Sequence, residues 1–323
     1  VAKPVEEVLM RIAVFGVGGV GGYFGGRLAQ AGEEVIFIAR GQHLQAIRGH
    51  GLRVESVQGG FVAQPVQATD DPAQVGVVDV ILVGVKAWQV PEAARAMRPL
   101  VGPETFVVPL QNGVEAPAQL AAVLGDQRVL GGFCRIVSLI VEPGHIRQVG
   151  GDAYVAFGEL DNRPGERAGR LRQAFARAAG LKVEIPADIQ AAMWEKFLTI
   201  SSWGGTGAVT RAPVGVWRSL PETRQMWERA MREVLAVAQA RNIALAEEIV
   251  PRTMAYVDSL PPAATASMQR DIMSGRPSEL DSQSGAVVRL GQEVKVATPV
   301  HAFMYHSLLP LELQARGEIQ FPA

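Results

Sequence analysis

Gly16-Val17-Gly18-Gly19-Val20-Gly21 stands directly after the short apolar run Arg11 to Phe15 and before a segment with helical spacing. No other feature restricts the fold of this chain as much. A glycine at 16 permits the tight turn out of a strand, one at 18 lets a pyrophosphate approach the backbone, and one at 21 lets the helix pack closely on the strand. The amino end of that helix then attracts phosphate charge. A second apolar run, Val35 to Ala39, completes a βαβ unit, and Gly22, Gly25 and Gly26 extend the close helix contact. The segment therefore reads as a dinucleotide loop, with Gly16, Val17, Gly18, Gly19, Val20 and Gly21 as its cofactor-binding residues.

The end of the second strand separates the two nicotinamide dinucleotides. An acidic residue there hydrogen-bonds the ribose of NAD, whereas an arginine accommodates the 2′-phosphate of NADP. This chain has Arg40, and no Asp or Glu lies between Val35 and Leu44, so NADP(H) is the expected cofactor and no carboxylate is expected to repel its phosphate.

Further strand candidates run from Asp79 to Val85 and from Thr105 to Leu110. Leu52 to Val57 and Phe61 to Val66 flank Gln58-Gly59-Gly60 as an inserted hairpin, and a second meander is expected from Phe133 to Phe157, turning at Pro143-Gly144 and Gly150-Gly151. From about Pro186 the pattern becomes helical: Ala187 to Trp203, Pro221 to Arg241, Ala246 to Leu260, Ala263 to Met273, Leu280 to Glu293 and Pro299 to Ala315. The expected class is α/β, an N-terminal Rossmann-type doubly wound sheet followed by an all-α C-terminal domain. The nucleotide-binding domain takes residues 10–185, and a helical substrate and dimerisation domain takes 186–323, with the Ala187 to Trp203 helix at their junction and the substrate cleft between them.

Lys plus Arg (31) nearly balance Asp plus Glu (32), for a formal charge of -1 that offers no broad field for nucleic acid or an anionic membrane. The expected partner is a small molecule. Cys134 is the only cysteine, which excludes an internal disulfide and a thiolate metal cluster and suits a reducing cytoplasm. The opening VAKPVEEVL reads as neither a signal peptide nor a membrane span, and Met10 as a natural start after a nine-residue extension. His301 and His306, five positions apart, do not form a zinc pair on one helical face, and the tryptophans at 194, 203, 217 and 227 read as core.

Two segments follow strands of the sheet, Val85-Lys86-Ala87-Trp88-Gln89 and Leu110-Gln111-Asn112-Gly113-Val114. A lysine or asparagine at a strand's carboxyl edge can hydrogen-bond a nicotinamide ribose or a substrate carboxylate. With GVGGVG, Arg40, VKAWQ, QNG, WEKF around Lys196, and SMQRDIMSGRPSELD from Ser267 to Asp281, the chain resembles the ketopantoate reductase (2-dehydropantoate 2-reductase) family from about Met10 to the last helix. The resemblance implies NADPH-dependent reduction of a 2-oxo acid, ketopantoate first among them, as a step of pantothenate biosynthesis. It also implies Lys196 as general acid with Glu279 in support, Lys86 and Asn112 in contact with cofactor or substrate, Ser267 on the substrate carboxylate, and Asp271 as a neighbouring polar member of the site.

The chemistry agrees with that assignment. Hydride arriving at a carbonyl carbon leaves negative charge on oxygen, so a proton donor or cation must face that oxygen, and a lysine is both. Lys196 is flanked by Trp194 and Phe197, an apolar setting that disfavours the ammonium. A lone lysine would otherwise be a solvated residue whose stem covers apolar neighbours, and Glu279 could cap a helix after Pro277-Ser278. The alternative of a nonenzymatic NADP(H) sensor has no use for Lys196 together with Glu279. The chain departs from the family at Ile200, Gly204 and Val214, where the family has asparagines that grip the substrate. The sequence thus predicts a roomier, more apolar pocket, only partly compensated by Ser201, Ser202 and Thr206, and hence a related reductase of a more apolar 2-oxo acid as the rival reading.

Overall fold

The computed structural model describes residues 9–322, so the extension read before Met10 falls, Leu9 apart, outside the described residues. The chain divides into two compact units: one takes residues up to Gln111 together with Ala116–Ile189, the other Asn112–Glu115 and the chain from Gln190 onward.

In the first unit the order is β1 (Arg11–Phe15), α1 (Gly19–Gln30), β2 (Glu34–Ile38), α2 (Gly41–His50), β3 (Leu52–Glu55), β4 (Phe61–Ala63), β5 (Gln67–Thr69), β6 (Val80–Val83), α3 (Val90–Ala96), β7 (Phe106–Pro109), α4 (Ala116–Leu124), β8 (Gly131–Arg135), β9 (Ser138–Glu142), β10 (His145–Gln148), β11 (Ala153–Gly158), α5 (Glu166–Arg177) and β12 (Leu181–Glu184). Five parallel strands form the main sheet in the order β5-β2-β1-β6-β7, the doubly wound arrangement expected. Successive side chains of a strand point to opposite faces. Ile12, Val14 and Leu82 accordingly enter one apolar cluster, and Ala13, Phe15, Ile81 and Val83 the other. Burial of each larger side chain is worth about 1.5 to 3 kcal/mol, which holds the strands in register. The winding reverses between β1 and β6, and such switch points open a crevice at the strands' carboxyl ends.

The hairpin β3–β4 forms as read. The meander from Phe133 to Phe157 does not. Its strands separate: β8 pairs antiparallel with β11 beside β12, while β9 and β10 join β3 and β4 in another sheet. The physical reason lies in α1. A Cβ at Gly22 would lie 2.7 Å from Ile146 Cγ1, and one at Gly19 would run into the Ser138 carbonyl, so these glycines let the β9–β10 hairpin dock on the helix.

The second unit contains α6 (Ile189–Thr210), α7 (Val214–Trp217), α8 (Pro221–Ala240), α9 (Ile249–Asp258), α10 (Ser267–Met273), a π-helical turn over Asp281–Gly285, α11 (Ala286–Glu293) and α12 (Pro299–Ala315). Helix α6 runs on past Trp203, through Gly204, Gly205 and Gly207. Each glycine admits a neighbour, Gln283 and Met268 at 204, Met304 at 205 and Gln269 at 207, and that packing outweighs their poor helix propensity. Trp194, Trp217 and Trp227 are core, as read, and Trp203 packs against the same cluster. Glu233 accepts hydrogen bonds from the backbone N–H groups of Val300 and His301 and lies 2.9 Å from His301 Nδ1, so His301 serves helix packing. Among the described residues no group of side chains suits a metal ion, and no helix is long and apolar enough to cross a membrane.

Candidate active site

The glycine loop divides its work. Gly16 has φ +96°, which an L side chain tolerates poorly, and a Cβ there would lie 2.6 Å from Val85 Cγ1. At Gly21 a Cβ would collide with the Gly16 carbonyl oxygen, so this residue sets how closely α1 approaches β1. Gly18 differs from both: a Cβ there meets nothing within 4 Å. Since no protein packing needs a glycine at 18, the open space beside the N-cap of α1 fits a pyrophosphate close to the backbone. Val17 is buried, so it can offer a cofactor only its main chain, and Val20 is partly buried against the core.

Arg40 is the N-cap residue of α2 and is largely exposed. The expectation of no nearby carboxylate needs correction: Glu92, brought from α3, lies 3.8 Å from the Arg40 guanidinium. Sequence proximity could not show it, because the two residues are 52 positions apart and the sheet brings them together. Both side chains are about 70% exposed (71% and 69%), so the pair is weak and leaves the guanidinium able to take a more strongly charged anion. Arg40→Ala is expected to weaken NADPH binding by about tenfold and leave NADH almost unchanged, as titration of the two cofactors would show.

Lys86 follows β6 and is exposed, with its ammonium 5.7 Å from the centre of the Trp88 ring. Next to it, Gln111 joins the ends of two strands by donating from Nε2 to the carbonyls of Val83 (2.8 Å) and Val85 (2.9 Å). His43, which the sequence reading passed over, accepts the Gly144 N–H at Nδ1 (3.0 Å) and so ties α2 to the β9–β10 turn. Burial holds its imidazole below the usual range, and a neutral ring is what that acceptor role needs.

In the helical unit, Asn112 donates from Nδ2 to Glu279 Oε2 at 2.9 Å, and Gln283 Nε2 approaches the same oxygen at 3.4 Å. Gly113 (φ +105°) turns the short 112–115 segment, and Glu115 pairs with Arg289 at 2.8 Å. Glu279 does not cap a helix. The N-cap of the turn that follows is Leu280, whose N–H donates to the Ser278 hydroxyl (3.2 Å), while the Ser278 N–H is bonded to Glu312. Glu279 is left with a buried carboxylate (8% exposed) facing two amides. Lys196 on α6 is equally buried, at 8%, beside the edge-to-face pair Trp194 and Phe197, so it is not a surface lysine covering its neighbours with its stem. Among carboxylates and lysines such burial is uncommon unless the group is paired, which makes the two side chains candidates for function.

Ser267 is the first residue of α10 and is exposed. Asp271, one turn on, pairs with Arg276 at 2.9 Å. Two details of the expected pocket are corrected. Val214 is fully buried in the core with Trp217 and Trp227, because it opens α7 with its side chain turned inward, and it offers no apolar surface to a ligand. Gly204 does not make the site roomier, because the Gln283 amide oxygen and Met268 Cε each lie 3.1 Å from its Cβ position. Gln283 is the residue that sequence reasoning missed. Its only signal was its place four residues after Glu279, on the same helical face.

A doubly wound sheet with a phosphate-type glycine loop in one unit, and a buried lysine and carboxylate in the other, are the features of a nucleotide-dependent oxidoreductase. Residues 12–162 match the ketopantoate reductase PanE/ApbA family and residues 188–312 its C-terminal domain. The chain belongs to the ketopantoate reductase family. It is 31% identical to the 2-dehydropantoate 2-reductase of Halobacterium salinarum over 294 residues, covering 90% of this chain and 95% of that one. It is also 27% identical to the uncharacterized oxidoreductase YkpB of Bacillus subtilis over 307 residues, with 94% and 100% covered. The structure of a PanE/ApbA family ketopantoate reductase from Ralstonia eutropha JMP134 superimposes with a TM-score of 0.85 at 30% identity, over 95% of this chain and 100% of that one.

Proposed function

We propose that this oxidoreductase reduces a 2-oxo acid to the 2-hydroxy acid with NADPH, and that its substrate is 2-dehydropantoate (ketopantoate). The observation that carries the reading is the buried Lys196 in the same unit as the Asn112–Glu279 hydrogen bond. Bound NADPH supplies the hydride. Gly16 to Gly21 and Arg40 hold its phosphates, and Lys86 meets the nicotinamide ribose or the substrate. Lys196 gives a proton to the carbonyl oxygen, so that hydride plus proton convert ketone to alcohol. Glu279, kept in place by Asn112, supports the lysine charge. Asn112 and Ser267 bind substrate, Ser267 through the carboxylate, with Asp271 beside it and already committed to Arg276. The product places the enzyme in pantothenate biosynthesis in the cytoplasm, and homodimerisation falls to the helical unit.

A second reading, a related reductase of a more apolar 2-oxo acid, is favoured by Ile200, a partly exposed apolar side chain one turn from Lys196. Oxidation of NADPH and of NADH by the purified protein, measured with a panel of 2-oxo acids, tests both. Ketopantoate with NADPH is expected to give the highest kcat/KM. A higher value for 2-oxoisovalerate would favour the second reading, and no turnover with any 2-oxo acid would reject both.

A further inference from the structure

We propose that Gln283 is a specificity-determining residue, whose side-chain carbonyl accepts the hydroxyl of a hydroxylated 2-oxo acid. The inference rests on the proposed 2-oxo acid reductase activity and names what that site recognises. Gln283 is 2% exposed and sits within the π-helical turn Asp281–Gly285, where the Gly285 N–H reaches the Leu280 carbonyl at 3.0 Å. Such widened turns concentrate at functional sites because they aim a side chain that a regular helix would carry past its target. A carboxylate oxygen accepts and does not donate, so the Gln283 end facing Glu279 Oε2 at 3.4 Å must be Nε2. The carbonyl end is thereby directed at α6, where it lies 3.1 Å from the Cβ position of Gly204.

A glycine at 204 admits this amide, and a larger side chain there would displace it. Positions 196, 200 and 204 share one face of α6, with 204 about 12 Å along the axis from the lysine. Other hydroxyl partners on the helix are fewer than the sequence suggests. Ser201 is committed to the Phe197 carbonyl at 2.7 Å, and Ser202 and Thr206 lie on the opposite face. No bond to the Gln283 carbonyl is found among the described residues, whereas its amide nitrogen is engaged. An acceptor left in this state on a side chain only 2% exposed favours a ligand that brings a donor and discriminates against one that does not.

The test compares kcat/KM for ketopantoate with that for 3,3-dimethyl-2-oxobutanoate, which differs only in carrying hydrogen in place of the hydroxyl. Gln283→Leu is expected to lower the ratio of the two values by tenfold or more, and Gln283→Ala/Gly204→Asn, which returns an amide from the other helix, to restore most of it. Gly204→Ala, which raises helix propensity while crowding the Gln283 carbonyl, is expected to lower the ratio at least threefold and decides the matter if Gln283→Leu does not fold. A ratio unchanged in the variants that turn over overturns the inference alone. A wild type that reduces neither acid removes the proposed function and this inference with it.

Discussion

Lys196→Ala is expected to lower kcat by about a hundredfold or more while NADPH still binds, because general acid catalysis typically supplies a factor of that size. The cofactor loop and Arg40 belong to the other compact unit, so the substitution removes no cofactor contact that the glycine loop provides. A buried lysine that merely filled space would give a different pattern, a loss of stability with turnover per folded molecule nearly intact. Single-turnover rates, NADPH titration and thermal melting measured on one preparation separate the two. Near-normal turnover in the folded variant would place the acid elsewhere. Lys196→Arg keeps the charge but holds its protons too tightly for efficient transfer, so it should recover binding more than rate.

The second large effect separates two glycines three positions apart. Gly21→Ala is expected to destabilise the protein by about 3 kcal/mol, since its methyl meets the Gly16 carbonyl, a backbone atom that cannot rotate away. For a cooperative unit of the size of the first one, residues 1–111 with 116–189, that corresponds to a fall in Tm of roughly 6 to 12 °C. Gly18→Ala should leave Tm nearly unchanged, because its methyl would meet no protein atom within 4 Å. It should nevertheless raise the Kd for NADPH by about tenfold or more, since the methyl would stand where the proposed cofactor site brings the pyrophosphate to the backbone. Equal melting losses in the two variants would show that Gly18 also serves packing. Unchanged NADPH affinity in Gly18→Ala would remove the loop from the cofactor site.

Much of this was legible in the chain because it depends on neighbours in sequence. Strand-turn-helix order, glycine spacing and apolar runs are local, and they were enough to predict the parallel sheet and the helical second half. Where the reading failed, the partner was remote. The strands from 131 to 158 were recognisable, but their division between two sheets followed from glycines on α1 more than a hundred positions earlier. Helix α5 carries a local signal of the same kind, the regular helical stripe of Ala168, Leu171, Ala174 and Phe175.

By itself the sequence determined the fold class, the glycine loop, the arginine after the second strand and the lysine and glutamate to be examined, since each rests on residue type and short-range spacing. Only the tertiary structure decided what each faces. It set Glu92 against Arg40, Asn112 against Glu279, Val214 in the core and the Gln283 amide over Gly204. Those outcomes turn on which distant surfaces pack together, and close packing is a property of three-dimensional contacts that no local pattern of residues encodes.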